Sequence, residues 1–124
     1  NLLIQINLKK SFFEIGGLME RTGFVLKVKK EKLSEYKKHH QEVWPEMLEA
    51  LRRSGWSNYS IFATEDGTLF GYVEASEDFQ ACLDGMAKEE INSKWQKFME
   101  PYFENLSGLP DQSMLKLEEV FHTG

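Results

Sequence analysis

Tyr36, His40 and Trp44 stand four residues apart. On a helix that spacing stacks them along one stripe. Leu33 lies near the start of the stripe, and Met47 and Leu48 continue it. An imidazole between two amphipathic aromatics is an odd choice for a purely apolar stripe. Aromatic faces suit the C–H face of a sugar or another flat, partly apolar ligand, while tyrosine hydroxyls and histidine nitrogens supply hydrogen bonds. Histidine also titrates near neutrality, at about 6.5, so it can give a proton and take it back. The bland alternative has the same spacing: a histidine on a helix surface, or one satisfied inside a core.

The other chemistry-bearing residues give weaker signals. His39 is adjacent to His40, and neighbouring helical residues point about 100° apart, so the two cannot chelate one ion from a regular helix. His122 is far along the chain, and no H-x-x-x-H or Cys-His cluster is present. No metal site is expected. Lys37, Lys38 and His39 read as a solvated helix face. Tyr59 and Tyr72 fall on strand-like segments; such tyrosines usually pack, but two near one pocket would be useful donors. Trp95, followed by Gln96, reads first as core. There is no G-x-S-x-G nucleophile motif, phosphate loop or dinucleotide fingerprint, which argues against nucleotide cofactors.

These residues need elements to hold them. Phe24, Leu26 and Val28 alternate with Val25 and Lys27, the period of a strand. Glu31 to Arg53 is rich in helix formers, but Pro45 cannot continue a helix and biases Trp44 away from α geometry. The run is therefore one helix ending near Val43 and a second starting at or near Pro45, or a single kinked helix, with Ser54-Gly55 as the stop. Trp56 to Ala63 and Thr68 to Ala75 read as strands joined by a Glu65-Asp66-Gly67 turn. Ser76 looks like an N-cap for helical segments over about 77–86 and 88–103. Asn105 to Asp111 reads as a loop, and Met114 to Phe121 as a last strand. The order β-α-β-β-α-β predicts an α+β, ferredoxin-like (split βαβ) fold with an antiparallel sheet and helices on one face. The open sheet face needs a cover, and a second copy of the chain is the simplest one. A homodimer is expected.

The bulk properties agree with one such domain. The chain has 124 residues, 41% of them hydrophobic and 28% charged. Fifteen Lys and Arg stand against twenty Asp and Glu, a net charge of −5. That balance disfavours nucleic acid and an anionic membrane surface as partners. No apolar run approaches the roughly 18 residues of a membrane span. One cysteine, Cys82, and no recognisable secretion signal make the cytoplasm the default expectation. Residues 1–18 could be an appended first strand or helix, a targeting remnant or a segment outside the functional unit, and the last reading is favoured. They hold two Lys and one Glu, end near Gly16-Gly17, and leave a net −6 on residues 19–124. Residues 19–124 are then the single functional domain.

Several blocks resemble the L-rhamnose mutarotase family. They are Met19-Glu20-Arg21-Thr22-Gly23-Phe24-Val25-Leu26-Lys27-Val28, Tyr36-x-x-x-His40-x-x-x-Trp44-Pro45-Glu46, Asn58-Tyr59-Ser60-Ile61, Trp95-Gln96-Lys97-Phe98-Met99 and Leu117-Glu118-Glu119-Val120-Phe121. The similarity runs in order over essentially all of 19–124; residues 1–18 have no counterpart. It implies a dimeric ferredoxin-like fold and a cofactor-free enzyme that interconverts the α and β anomers of L-rhamnose. It implies His40 as proton donor and Tyr36 and Tyr59 as sugar-binding residues. The family pattern often has two tryptophans on the second helix. Here Trp95 matches the first, and Gln96 takes the second position, which bears on the exact sugar preferred. His122 likewise stands where a tyrosine is familiar.

Mutarotation opens a cyclic hemiacetal and recloses it on the opposite face. It needs a proton delivered to the ring oxygen and one removed from the anomeric hydroxyl. His40 would be the acid; Tyr36, Tyr59 or a bound water could relay the other proton. Trp44 and Trp95 would wall the pocket. Two competing readings use the same fold. One is a cofactor-independent monooxygenase, marked by oxygen uptake with quinols. The other is a non-catalytic ligand-binding module, marked by binding without turnover.

Overall fold

The computed structural model describes residues 19–104 and 108–124. The proposed extension over 1–18 lies outside the described residues. Strand β1 (Glu20–Lys27) is followed by a single 3-10 turn and helix α1 (Leu33–Gln41). Helix α2 (Pro45–Arg53), strands β2 (Trp56–Ala63) and β3 (Thr68–Ala75), and helices α3 (Phe79–Ala87) and α4 (Glu90–Met99) come next. Strand β4 (Leu115–Lys116) closes the order. The sheet order is β2-β3-β1-β4, with every pair antiparallel. This is the ferredoxin-like arrangement expected.

Local chemistry explains most boundaries. Trp44 is extended at ψ 134°, as a residue before proline prefers, and Pro45 opens α2. Between β2 and β3, Asp66 Oδ1 accepts from the Thr68 N–H at 3.0 Å, and Gly67 takes a φ of 94°. Two expectations fail. The cap of α3 is Asp78, not Ser76: Asp78 Oδ1 accepts from the Ala81 N–H at 2.7 Å. The Ser76 N–H instead donates to Gly55 O, which ties it to the preceding turn. The last strand is two residues long rather than 114–121. Beyond it the Leu117 N–H still donates to Gly23 O and Arg21 pairs with Glu119 at 2.9 Å, but Val120 and Phe121 stand 88% and 80% exposed. Both lie past the strand and are largely exposed in the single chain.

The strands alternate in burial. Phe24 and Leu26 of β1, Val28 just beyond it, and Leu69 and Val73 of β3 point under the helices. Phe24 stacks on Phe79 at 5.5 Å and crosses Gly71 on the neighbouring strand, where a Cβ would run into its ring. Cys82 is buried in the same layer, and burial pushes its thiol up to about 11. No helix among the described residues is long and apolar enough to cross a membrane.

Candidate active site

One irregularity in β2 sets the site. Ser57 faces Glu74 and Ser60 faces Tyr72, so the register slips between them. Both serines lie on the outer face although three positions separate them. The extra residue is Asn58, at φ 46°, a left-handed conformation that asparagine tolerates better than most. Its Nδ2 donates to Glu74 Oε2 at 2.7 Å. The bulge re-phases the strand: Tyr59 and Ile61 turn inward with Trp56, where strict alternation would have sent Tyr59 out. Tyr72 stays on the outer face and donates to Glu74 Oε2 at 2.9 Å. The two strand tyrosines therefore do not share a pocket.

The helices and the inner sheet face enclose a cavity of about 330 Å³. That is the low end of small-molecule pockets. Tyr36, His40, Tyr59, Trp95 and Gln96 all line it. His40 is half-buried, and its ring stacks on Tyr36 at 4.1 Å and meets the edge of Trp95 at 5.5 Å. Its Nδ1 lies 3.0 Å from Tyr36 O, one turn back. A carbonyl can only accept, so Nδ1 carries the proton. Nε2 is then the nitrogen left for a ligand, and it has no partner among the described residues. Burial holds the His40 pKa below the ordinary imidazole value; the Tyr36 carbonyl opposes that and nearby His39 adds to it. Burial alone raises Tyr36, and it is the main cause that raises Tyr59, so both phenols stay protonated as donors. Neither hydroxyl has a partner among the described residues.

Two residues differ from their expected places, and Gln96 lines the cavity with its amide already bonded. Trp44 does not line the cavity. It packs edge-on against Trp95 at 4.9 Å and beside Phe98 at 5.5 Å, so it backs the wall rather than forming it. His39 turns away from the cavity, toward Phe98 and the Tyr102 hydroxyl, the latter 2.9 Å from its Nε2. Gln96 is buried with both amide ends committed: Oε1 accepts from the Asp111 N–H at 2.8 Å, and Nε2 donates to Asn92 Oδ1 at 3.4 Å.

The sequence reading missed Asn92 and Asp111, which also line the cavity. Asn92 carried one signal. It shares the buried stripe of α4 with Gln96 and Met99, where an apolar residue is usual. Asp111 carried none, because an aspartate after Gly108 and Pro110 looks like any solvated turn.

Comparison with known proteins decides among the readings. The family model for L-rhamnose mutarotase matches residues 21–123. This chain belongs to the L-rhamnose mutarotase family. It is 42% identical over 107 residues to the L-rhamnose mutarotase of Oceanobacillus iheyensis, covering 84% of this chain and 98% of that one. The Listeria monocytogenes enzyme matches with the same identity and coverage. The crystal structure of L-rhamnose mutarotase from Formosa agariphila superposes with a TM-score of 0.70 at 36% identity, over 85% of this chain and 99% of that chain.

Proposed function

We propose that this chain interconverts the α and β anomers of L-rhamnose by acid–base opening and reclosure of the pyranose ring. Family membership names the reaction. The observation that carries it at the level of residues is the anchored imidazole, with Nε2 unpartnered beside a cavity of about 330 Å³. His40 protonates the ring oxygen in opening and takes that proton back in closing. A pKa lowered by burial makes its N–H a stronger acid for that step. The Tyr36 and Tyr59 hydroxyls bind sugar hydroxyls, and Trp95 holds the apolar face of the ring. Gln96 lines the pocket but spends its amide on the protein, so it shapes the site more than it bonds the sugar. Trp44 fixes the tilt of Trp95. Positioned acid–base catalysis supplies about 10²–10⁴-fold, enough for a reaction that already proceeds slowly in water.

The test is anomer exchange on L-rhamnose, read by saturation-transfer NMR between the two anomeric proton signals, with fucose, galactose and glucose beside it. Exchange on L-rhamnose above the buffer rate is expected. No acceleration, or oxygen uptake with quinols in its place, would overturn the proposal.

The functional unit in this reading is residues 19–124 working as a homodimer. The outer sheet face supports the dimer: Phe62 opposes Phe70 across β2 and β3, and they are 62% and 43% exposed, with Leu115 at 64%. Contiguous apolar surface of this kind is seldom left in water. Sedimentation equilibrium should return the mass of two chains, and a single-chain mass at micromolar concentration would refute the pairing.

A further inference from the structure

The acid–base reading leaves one side of the proton traffic unassigned, and among the described residues one carboxylate lines the cavity. Asp111 sits in the 3-10 turn Pro110–Gln112. Its backbone N–H donates to Gln96 Oε1 at 2.8 Å. Its Oδ2 accepts from Asn92 Nδ2 at 3.0 Å. The same Asn92 amide nitrogen donates its other hydrogen to Met86 O at 3.1 Å, so it cannot turn away without breaking a buried bond. The Gln96 side-chain amide also favours the ionised carboxylate, and among the described residues no Lys or Arg forms an ion pair with it. A carboxylate taken into an aromatic cavity without a cation is costly. Held by its backbone and by neutral amides alone, the carboxylate keeps lone pairs for a hydroxyl in the cavity.

We infer that Asp111 is the second catalytic residue, its carboxylate exchanging a proton with the anomeric hydroxyl while His40 Nε2 serves the ring oxygen. The inference rests on the mutarotase reading of this cavity. In opening, Asp111 takes the proton of the O1 hydroxyl, and the O–H electrons form the C1=O1 double bond. The bond from C1 to the ring oxygen breaks; its electron pair stays on that oxygen, which takes the proton from His40. The aldehyde turns. In closing, the hydroxyl returns its proton to His40 as it attacks the other carbonyl face, and Asp111 returns its proton to O1. No net proton, electron or co-reactant is consumed.

The surroundings tune both groups toward this exchange. Burial raises the Asp111 pKa, although the Asn92 and Gln96 amides pull it down, and a raised pKa makes a stronger base. Burial lowers that of His40. The groups facing Asp111 are Asn92 and Gln96 from α4 and Tyr59 from β2; those facing His40 are Tyr36 and His39 from α1 and Trp95 from α4. None of these facing groups is a Lys, Arg or carboxylate. Turnover needs protonated His40 and ionised Asp111. It should therefore fall as pH drops below a pKa above that of an ordinary aspartate, and fall again as pH rises past one below ordinary imidazole.

The experiment is saturation-transfer NMR on L-rhamnose with wild type, Asp111→Asn and Asp111→Glu. Asp111→Asn should slow exchange by about 10²–10⁴-fold, weaken sugar binding far less by tryptophan fluorescence, and abolish the acid limb of the pH profile. Asp111→Glu should restore part of the rate. A folded Asp111→Asn that keeps the wild-type rate and its acid limb overturns the assignment. Should Asp111→Asn not fold, the wild-type acid limb decides. A limb whose position ignores temperature belongs to a carboxylate and supports Asp111; a missing or strongly temperature-dependent limb overturns it. A wild-type chain with no exchange at any pH overturns the mutarotase reading itself, whereas normal exchange in Asp111→Asn removes only Asp111.

Discussion

Alternate residues of the same strands build the two faces of this sheet, and the faces treat polar groups in opposite ways. On the inner face, polar atoms are buried, fixed and then left one bond short. His40 is held at Nδ1 with Nε2 over, and the Asp111 carboxylate is held by neutral amides with no cation beside it. On the outer face, polar side chains satisfy one another in the open, as Tyr72 and Asn58 both do on Glu74, while Phe62 and Phe70 carry bare apolar area. A site for a small polyol needs the first arrangement, because unspent hydrogen bonds in a dry cavity are what a sugar hydroxyl completes. A surface that meets another protein needs the second.

Substitutions should separate the two faces, and the inner ones should cost most. Trp95 is buried at the junction of His40, Trp44 and Phe98. Trp95→Ala should lower stability by about 3–5 kcal/mol, read by urea unfolding. His40→Ala should slow anomer exchange by about two orders of magnitude with little change in melting temperature, since the ring is half-buried and its one bond is to its own helix. An unchanged exchange rate would place the acid elsewhere. Asn58→Val puts a β-branched residue at a φ of 46°. That should cost about 1–2 kcal/mol of stability and raise KM for L-rhamnose as Tyr59 loses its aim. On the outer face, Phe62→Ser should change the stability of a lone chain by less than about 0.5 kcal/mol. Its readout is mass: sedimentation should shift toward one chain while exchange persists. A large stability loss without a mass change would show that the outer face is packed rather than bare.

Legibility in the sequence follows the same division. Strand β1 stands where alternation puts it, β2 and β3 flank the Asp-Gly turn, and α2 begins at its proline, because these signals are local. Tyr36 and His40 were legible because helical spacing alone makes them neighbours. What was hidden depends on phase or on long-range closure. Nothing in the run Ser57-Asn58-Tyr59-Ser60 says which residue is extra, yet that decides where Tyr59 points. Asp111 enters the cavity only when α4 supplies Gln96 and Asn92 to hold its turn. Trp44 sits on the right stripe but one layer back, since spacing gives the direction of a side chain and not the depth at which a neighbour stops it. Val120 and Phe121 fell in the expected last strand because apolar residues close to one another suit a strand, but β4 ends at Lys116.

The acceptor that holds His40 is the main-chain oxygen of residue 36, not a side chain. Every amino acid carries that atom. Codon changes at position 36 can strip away the stacking ring and the phenol, yet none can delete the contact that selects the imidazole tautomer, short of unwinding α1. The proton-handling group is therefore shielded from a whole class of heritable damage, and selection remains free to vary the pocket around it.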